Sequence, residues 1–145
     1  MEKKFFLHTG EQSPVTDSNA AAFAACLLNS SLFYWFYSCF SDCEHVNDEL
    51  VRRWRLPNKF STTDWPQIAD KLVEDLESNA SEKSIRTKQG HIIEYHEIRA
   101  SGSKPIIDQI DTLLAEHYGF TEEELDFIIN YDIKYRMGLS GGSND

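Results

Sequence analysis

Cys39, Cys43 and His45 stand in the order C-x3-C-x-H, a spacing that could bring two thiolates and an imidazole to one ion. A structural zinc site takes four ligands in recognisable pairs, and no second pair follows. His91 and His96 would join only if the fold carried them there. The cysteines therefore read as packing groups, since buried thiols behave like small hydrophobes. There are three of them, an odd number that closes no disulfide framework. No metal site is expected. Glu94, His96 and Glu97 offer acid and base groups close in sequence. On a strand Glu94 and His96 share a face while Glu97 points away, and no nucleophile is paired with them. The third group is basic. Arg52, Arg53, Arg55 and Lys59 surround Trp54 with no acid among them, and arginines beside an indole could grip phosphates or stack on bases. The alternative for this segment is a solvated edge that turns Trp54 and Leu56 inward, because charge runs are usually solvated faces. A second basic surface gathers Lys83, Arg86, Lys88, His91 and Arg99.

The elements that must position these groups are organised around Asp17 to Asn47, where no charge falls between Asp17 and Asp42. A helix with so many alanines, then Leu32 to Tyr37 in an unbroken apolar and aromatic run, must be buried nearly all round, because a surface helix confines its apolar groups to one stripe. A bilayer is the first environment to test, since about twenty residues span its core. Asn29, Ser30 and Ser31 sit mid-run, where a lone helix would leave them unpaired in lipid, and acids rather than Lys or Arg flank it. A protein core is expected instead. Asp17 or Ser18 caps this long helix, its alanine half admits a close backbone, and Asn29-Ser30-Ser31 either kinks it or bonds to a neighbour.

Before it, Lys3 to Leu7 reads as extended and Glu11 to Thr16 as a loop. After it, Thr62 or Thr63 opens a helix with Asp64 and Pro66 in its first turn, whose apolar face is Ile68, Ala69, Leu72, Val73 and Leu76. Ser78 to Ser84 ends that helix. A hairpin then turns at Gly90 between Ile85 to Lys88 and Ile92 to His96. Pro105 opens a further helix with Ile106, Ile107, Ile110, Leu113 and Leu114 on one face, stopped by Gly119. Thr121 to Glu124 is a capping box for a last helix through Leu125, Ile128, Ile129, Ile133 and Met137, ended by Gly138. From Asp108 to Asp132 every charge is negative, so this helix pair should not face DNA. The expected fold is α+β, mainly α: a long buried central helix, a small β-hairpin and a C-terminal antiparallel helix pair. One domain covers residues 1–138, and 139–145 form a disordered tail.

At 145 residues and 41% hydrophobic content the chain suffices for one core of ordinary size. A formal net charge of -10 argues against a free-standing nucleic-acid binder, because affinity for DNA comes largely from neutralising phosphates. The start Met-Glu-Lys-Lys leads only into Phe5, Phe6 and Leu7 before polar residues, so no secretory signal is read and a cytoplasmic location follows by default.

Two long strings carry a family likeness. LNSSLFYWFY (Leu28 to Tyr37) followed by SDCEHVN (Ser41 to Asn47), and SKPIIDQIDTLLAEHYGFTEEELDFIINYDIKYRMG (Ser103 to Gly138), resemble the C-terminal part of bacterial adenine-N6 DNA methyltransferases. The similarity is to the TaqI-like specificity region of those enzymes and of fused restriction-modification proteins, over about Phe5 to Gly138. The resemblance implies a separate catalytic domain that binds S-adenosylmethionine and methylates a flipped adenine. It implies for this chain a share in target recognition or in clamping the duplex. Pro14, Pro57, Pro66 and Pro105 are each isolated, so no Asn-Pro-Pro-Tyr motif is present, nor is a Gly-rich cofactor loop. The chain is thus expected to be non-catalytic and to hold no cofactor, with the catalytic domain and double-stranded DNA as partners. Arg52, Arg53, Arg55, Lys59, Arg86 and Lys88 are its candidate DNA contacts, chosen from charge. The alternative is a protein-interaction module retained without DNA binding, using the Ala-rich face; a hydrolase built on Glu94 and His96 is the third reading.

Overall fold

A computed structural model describes residues 18–46, 48–57 and 62–138. The extended segment expected at Lys3 to Leu7, the loop to Thr16, the cap at Asp17, Lys59 and the tail all lie outside the described residues. Among the described residues seven α-helices and one antiparallel hairpin follow in the order α1 (Ser18–Leu28), α2 (Ser31–Phe40), α3 (Asp48–Arg53), α4 (Trp65–Ser78), β1 (Ala80–Arg86), β2 (Ile92–Ile98), α5 (Lys104–Tyr118), α6 (Glu122–Asn130) and α7 (Ile133–Arg136), with a 3-10 turn at Ala100–Ser103. The class is α+β, mainly α.

The expected long central helix is two helices. α1 and α2 bend by 64° at Asn29 and Ser30. Ser30 closes both ends: its hydroxyl donates to the Leu27 carbonyl at 2.6 Å and accepts the Phe33 amide at 3.0 Å. The short polar residues therefore kink the run, and they also bond to a neighbouring element, since Ser31 accepts from Arg136 at the C-terminal end of α7. No single helix among the described residues is long and apolar enough to cross a membrane; α1 and α2 have the length and composition together, but only across this bend.

α1 lies on α4, where Ala22 and Ala69 are buried and let the backbones approach. Phe23, Cys26, Leu27, Leu32, Trp65, Ile68, Leu72, Ile107, Ile110, Leu114 and Ile128 complete one core drawn from α1, α2, α4, α5 and α6. Trp65 is 0% exposed, with Phe23 edge-on at 5.0 Å and the His117 ring at 5.6 Å. Val73, expected on the apolar face of α4, is exposed instead, because Ile68, Ala69 and Leu72 already fill the arc that faces α1. α4 begins later than expected: Asp64, not Thr62 or Thr63, is the cap, because its carboxylate accepts the Gln67 amide, with Pro66 in the first turn. It runs antiparallel to α5. At one end Thr63 Oγ1 and His117 Nε2 are hydrogen-bonded at 2.8 Å; at the other Asn79 Nδ2 reaches Ser103 Oγ at 3.5 Å.

The hairpin is longer than expected. β1 begins at Ala80, directly after α4, so most of Ser78 to Ser84 is strand rather than helix end. The ladder pairs Ala80 with Ile98, Glu82 with His96, Ser84 with Glu94 and Arg86 with Ile92. Its base is held by a close approach: a Cβ at Gly102 would meet the Asn79 side chain at 3.0 Å. At the end of α5, Gly119 takes the left-handed conformation (φ 73°), which a side chain disfavours. The capping box at Thr121 and Glu124 is formed in full. The last helix does not run unbroken to Met137. Asn130 ends α6, Asp132 turns left-handed (φ 50°), and α7 starts at Ile133. The reason is tertiary: Tyr34 donates to Asp132 Oδ2 at 3.0 Å, and Arg136 Nη1 donates to the Ile129 and Tyr131 carbonyls at 3.4 and 3.3 Å, which replace the missing helical bonds.

Candidate functional site

The candidate DNA contacts divide between two places. Arg52 and Arg53 end the short helix α3, and Arg53 is paired with Glu49 one turn back, so α3 itself supplies an acid to this basic segment. The segment is anchored through Trp54. Its ring meets Phe36 edge-on at 4.7 Å, its indole N–H donates to the Tyr118 hydroxyl at 2.6 Å, and that hydroxyl donates to the Arg55 carbonyl at 3.0 Å. Arg52, Arg53 and Arg55 are thereby left on the surface at the C-terminal end of α5. Trp54 turns inward as the solvated-edge reading expects, whereas Leu56, at 61% exposed, does not. Trp54 and Tyr118 form the bolt that sets this loop.

Arg86 and Lys88 sit at the far tip of the hairpin, whose base joins the opposite end of α5. α5 has 15 residues, about 22 Å of helix. Each strand adds seven residues, about 23 Å. The two clusters are therefore not one patch, and the two basic surfaces lie at opposite ends of α5. The hairpin itself is exposed along both faces. Ile85, Ile92, Ile93, Tyr95 and Ile98 are all open to solvent, with Ile92 at 66%. The tip is a turn of Thr87 to Gly90, where the Thr87 amide donates to the His91 carbonyl at 2.8 Å.

The residues with metal-ligand spacing do not assemble as C-x3-C-x-H. Among the described residues the group that clusters is Asp42, Glu44 and His45, with ligand atoms within 4.8 Å of one another and all three exposed. Its carboxylate is already used: Asp42 Oδ1 accepts the Glu44 and His45 amides at 3.0 and 3.3 Å, which holds the Asp42 carboxyl below its ordinary range. This is a turn-forming carboxylate after α2. Cys39 and Cys43 are exposed free thiols, contrary to their reading as buried packing groups; only Cys26 is buried, and burial pushes its thiol up to about 12. Glu94 and His96 share one face of the ribbon, opposite Ser84 and Glu82 respectively, all exposed and not hydrogen-bonded to one another.

The polar centre of the molecule is one that charge and spacing do not single out. Asp111, on α5, is 2% exposed, and its Oδ1 accepts the Leu32 amide at 3.3 Å, the second free N–H of α2. Arg136 Nη2 donates to Ser31 Oγ at 2.6 Å, and the guanidinium lies over the Tyr34 ring at 5.1 Å. Burial raises the Asp111 carboxyl above its usual value, while hydrogen bonds from Ser31 and Leu32 and the charge of Arg136 oppose the rise. Asp111 Oδ2 has no partner among the described residues. The bend between α1 and α2, the middle of α5 and the chain after α6 thus meet at one set of polar groups, with Ser31 and Asp111 buried and Arg136 half-buried at its edge. The signal available in sequence is the polar triplet within the apolar run, which requires partners; which acid and which arginine supply them depends on the fold. Comparisons with protein-family models, with curated proteins and with solved structures find no match for this chain.

Proposed function

We propose that this chain is a non-catalytic segment of a site-specific adenine-N6 DNA methyltransferase or restriction-modification enzyme, contributing to target recognition or to docking of the duplex. One observation carries the reading. The two strings that resemble the specificity region lie far apart in sequence, yet they supply both sides of the same set of contacts: Ser31, Leu32 and Tyr34 from the first, Asp111, Asp132 and Arg136 from the second. Ser31, Leu32 and Asp111 are buried, Tyr34 and Arg136 half-buried and Asp132 exposed. Side chains committed to holding a scaffold are what a long ordered likeness should contain if the shared property is the fold, with the chemistry placed elsewhere. Catalysis and S-adenosylmethionine are assigned to a partner domain, in the cytoplasm. DNA affinity is then borrowed from that partner, since the chain is acidic overall. The hairpin is the element suited to reach the duplex, because a two-stranded ribbon fits the major groove and its tip carries Arg86 and Lys88.

A second reading has its own support. The exposed isoleucines and Tyr95 of the hairpin are apolar surface of the kind that meets protein, which favours an interaction module. The reading frame adjoining Met1 in the source genome separates the two. A frame that encodes a Gly-rich cofactor loop and Asn-Pro-Pro-Tyr supports the methyltransferase segment. Unrelated neighbours with a promoter between them and Met1 refute it and leave the interaction module.

A further inference from the structure

We infer that the outer edge of β2 is a self-complementary docking strand for a second copy of this chain, joining two hairpins into one four-stranded sheet. This does not rest on the methyltransferase reading; it rests on strand register, on the residues that register pairs and on the exposure of the hairpin. The hairpin is a two-stranded sheet, and among the described residues no third strand covers either edge. Long apolar edges of this kind are normally shortened, covered or blocked with charge. Here the charges do not block.

β2 reads Ile92-Ile93-Glu94-Tyr95-His96-Glu97-Ile98. Turned end for end about Tyr95, as an antiparallel copy must be, it sets Ile92 on Ile98, Glu94 on His96 and Tyr95 on Tyr95. Three of the four kinds of pair are favourable, apolar on apolar, acid on imidazole and ring on ring; only Ile93 on Glu97 is not. The backbone agrees with this register. The Thr87 amide donates to the His91 carbonyl, so His91 directs its bonds towards β1. Bonding direction alternates along an antiparallel strand. Ile93, Tyr95 and Glu97 therefore bond to β1, and Ile92, Glu94, His96 and Ile98 turn their amides and carbonyls to the open edge. A two-fold axis at Tyr95 pairs Ile92 with Ile98 and Glu94 with His96, outward residues with outward residues, as the ladder requires. A register shifted by one residue would oppose outward groups to inward ones.

The faces agree as well. The side chains of Ile92, Glu94, His96 and Ile98 lie on one face, where the cross-strand groups within the hairpin are Arg86, Ser84, Glu82 and Ala80. The other face gathers Ile85, Ile93 and Tyr95 of each copy about the axis, with Lys83 beside Tyr95 and Ser81 beside Glu97. Joined in this way, exposed isoleucines and tyrosines become the centre of a sheet.

The test is sedimentation velocity of the 145-residue chain over a concentration series, with two single variants. Glu94→Lys sets an ammonium against His96 of the second copy, and its neighbour within the hairpin is the neutral Ser84. His96→Glu opposes two acids across the axis and also sets an acid against Glu82 within each hairpin, so its fold is checked before its association is compared. Each variant alone should associate about tenfold more weakly than the parent, since each disfavours two pairs per dimer. An equimolar mixture should recover parental association, because the introduced lysine of one copy then meets the introduced glutamate of the other, and the remaining pair of Glu94 with His96 is intact. A parent that stays monomeric throughout, variants that associate as the parent does, or a mixture of folded variants that recovers nothing would each overturn the inference. Far-ultraviolet circular dichroism checks that the variants are folded.

Discussion

Replacing Asp111 perturbs the contact on which the α1–α2 bend depends. Its Oδ1 accepts the Leu32 amide, and Ser31 also bonds to its carboxylate. Asp111→Ala removes the acceptor and leaves buried donors unpaired at the start of α2, a cost of about 1–3 kcal/mol. Asp111→Asn keeps Oδ1 as acceptor and puts its nitrogen where Oδ2 already has no partner, so no bond is broken. At neutral pH the Asn variant should lie within about 1 kcal/mol of the parent. Urea unfolding gives both values, and the Ala variant should lower the midpoint by about 1 M. The pH dependence adds an independent sign. Burial raises the Asp111 carboxyl above 3.8 in the folded chain, so the folded state holds that proton more tightly than the unfolded state. This contribution favours folding most below 3.8 and disappears as pH rises through the raised value. Asp111→Asn lacks the titration, so its stability relative to the parent should improve on raising the pH through that window. An Ala variant within about 0.5 kcal/mol of the parent, or an Asn variant whose advantage falls with pH, would refute the reasoning.

Other outcomes follow from the same geometry. Trp65→Ala empties the centre of the core and should cost about 3–5 kcal/mol in urea unfolding; a cost below about 1 kcal/mol would mean that Phe23 and His117 collapse into the space. A thiol-reactive chromophore should label Cys39 and Cys43 rapidly, with Cys26 reacting only on unfolding, because its thiol is buried and pushed up to about 12. In the proposed assembly with a catalytic domain, Ala at Arg52, Arg53 and Arg55 and Ala at Arg86 and Lys88 should act additively on DNA affinity, since the clusters lie at opposite ends of α5. Removing each cation that neutralises a phosphate should flatten the salt slope by about 0.9, and unchanged binding would remove that cluster from the recognition surface.

What the sequence disclosed was local. Pro66 and Asp64 at the start of α4, Gly119 after α5 and the Thr121–Glu124 box are all placed as their chemistry dictates, because a cap is satisfied within a few residues of itself. The apolar run from Ala20 to Tyr37 announced a core element, yet its break at Asn29 and Ser30 has two outcomes in sequence, and the bond from Leu32 to Asp111 spans 79 residues. The same holds for the break after Asn130, held by Tyr34 and Arg136 and hidden in an unbroken helical period. The two basic surfaces were legible as separate runs, Arg52 to Arg55 and Arg86 to Lys88, but that they lie at opposite ends of α5 follows only from the antiparallel course of α4 and α5. The hairpin's exposed isoleucines were also opaque, because a strand with apolar residues ordinarily turns one face to a core, and this one turns neither.

The most direct measurement of the proposed recognition role is methyl transfer from S-adenosylmethionine to adenine in duplex DNA, with the catalytic domain that the proposal assigns to a partner assayed with and without this chain. No transfer by the chain alone is expected, and site-specific transfer, weakened by salt, only when the two are combined. Equal and equally specific methylation in its absence would contradict a recognition role for this chain.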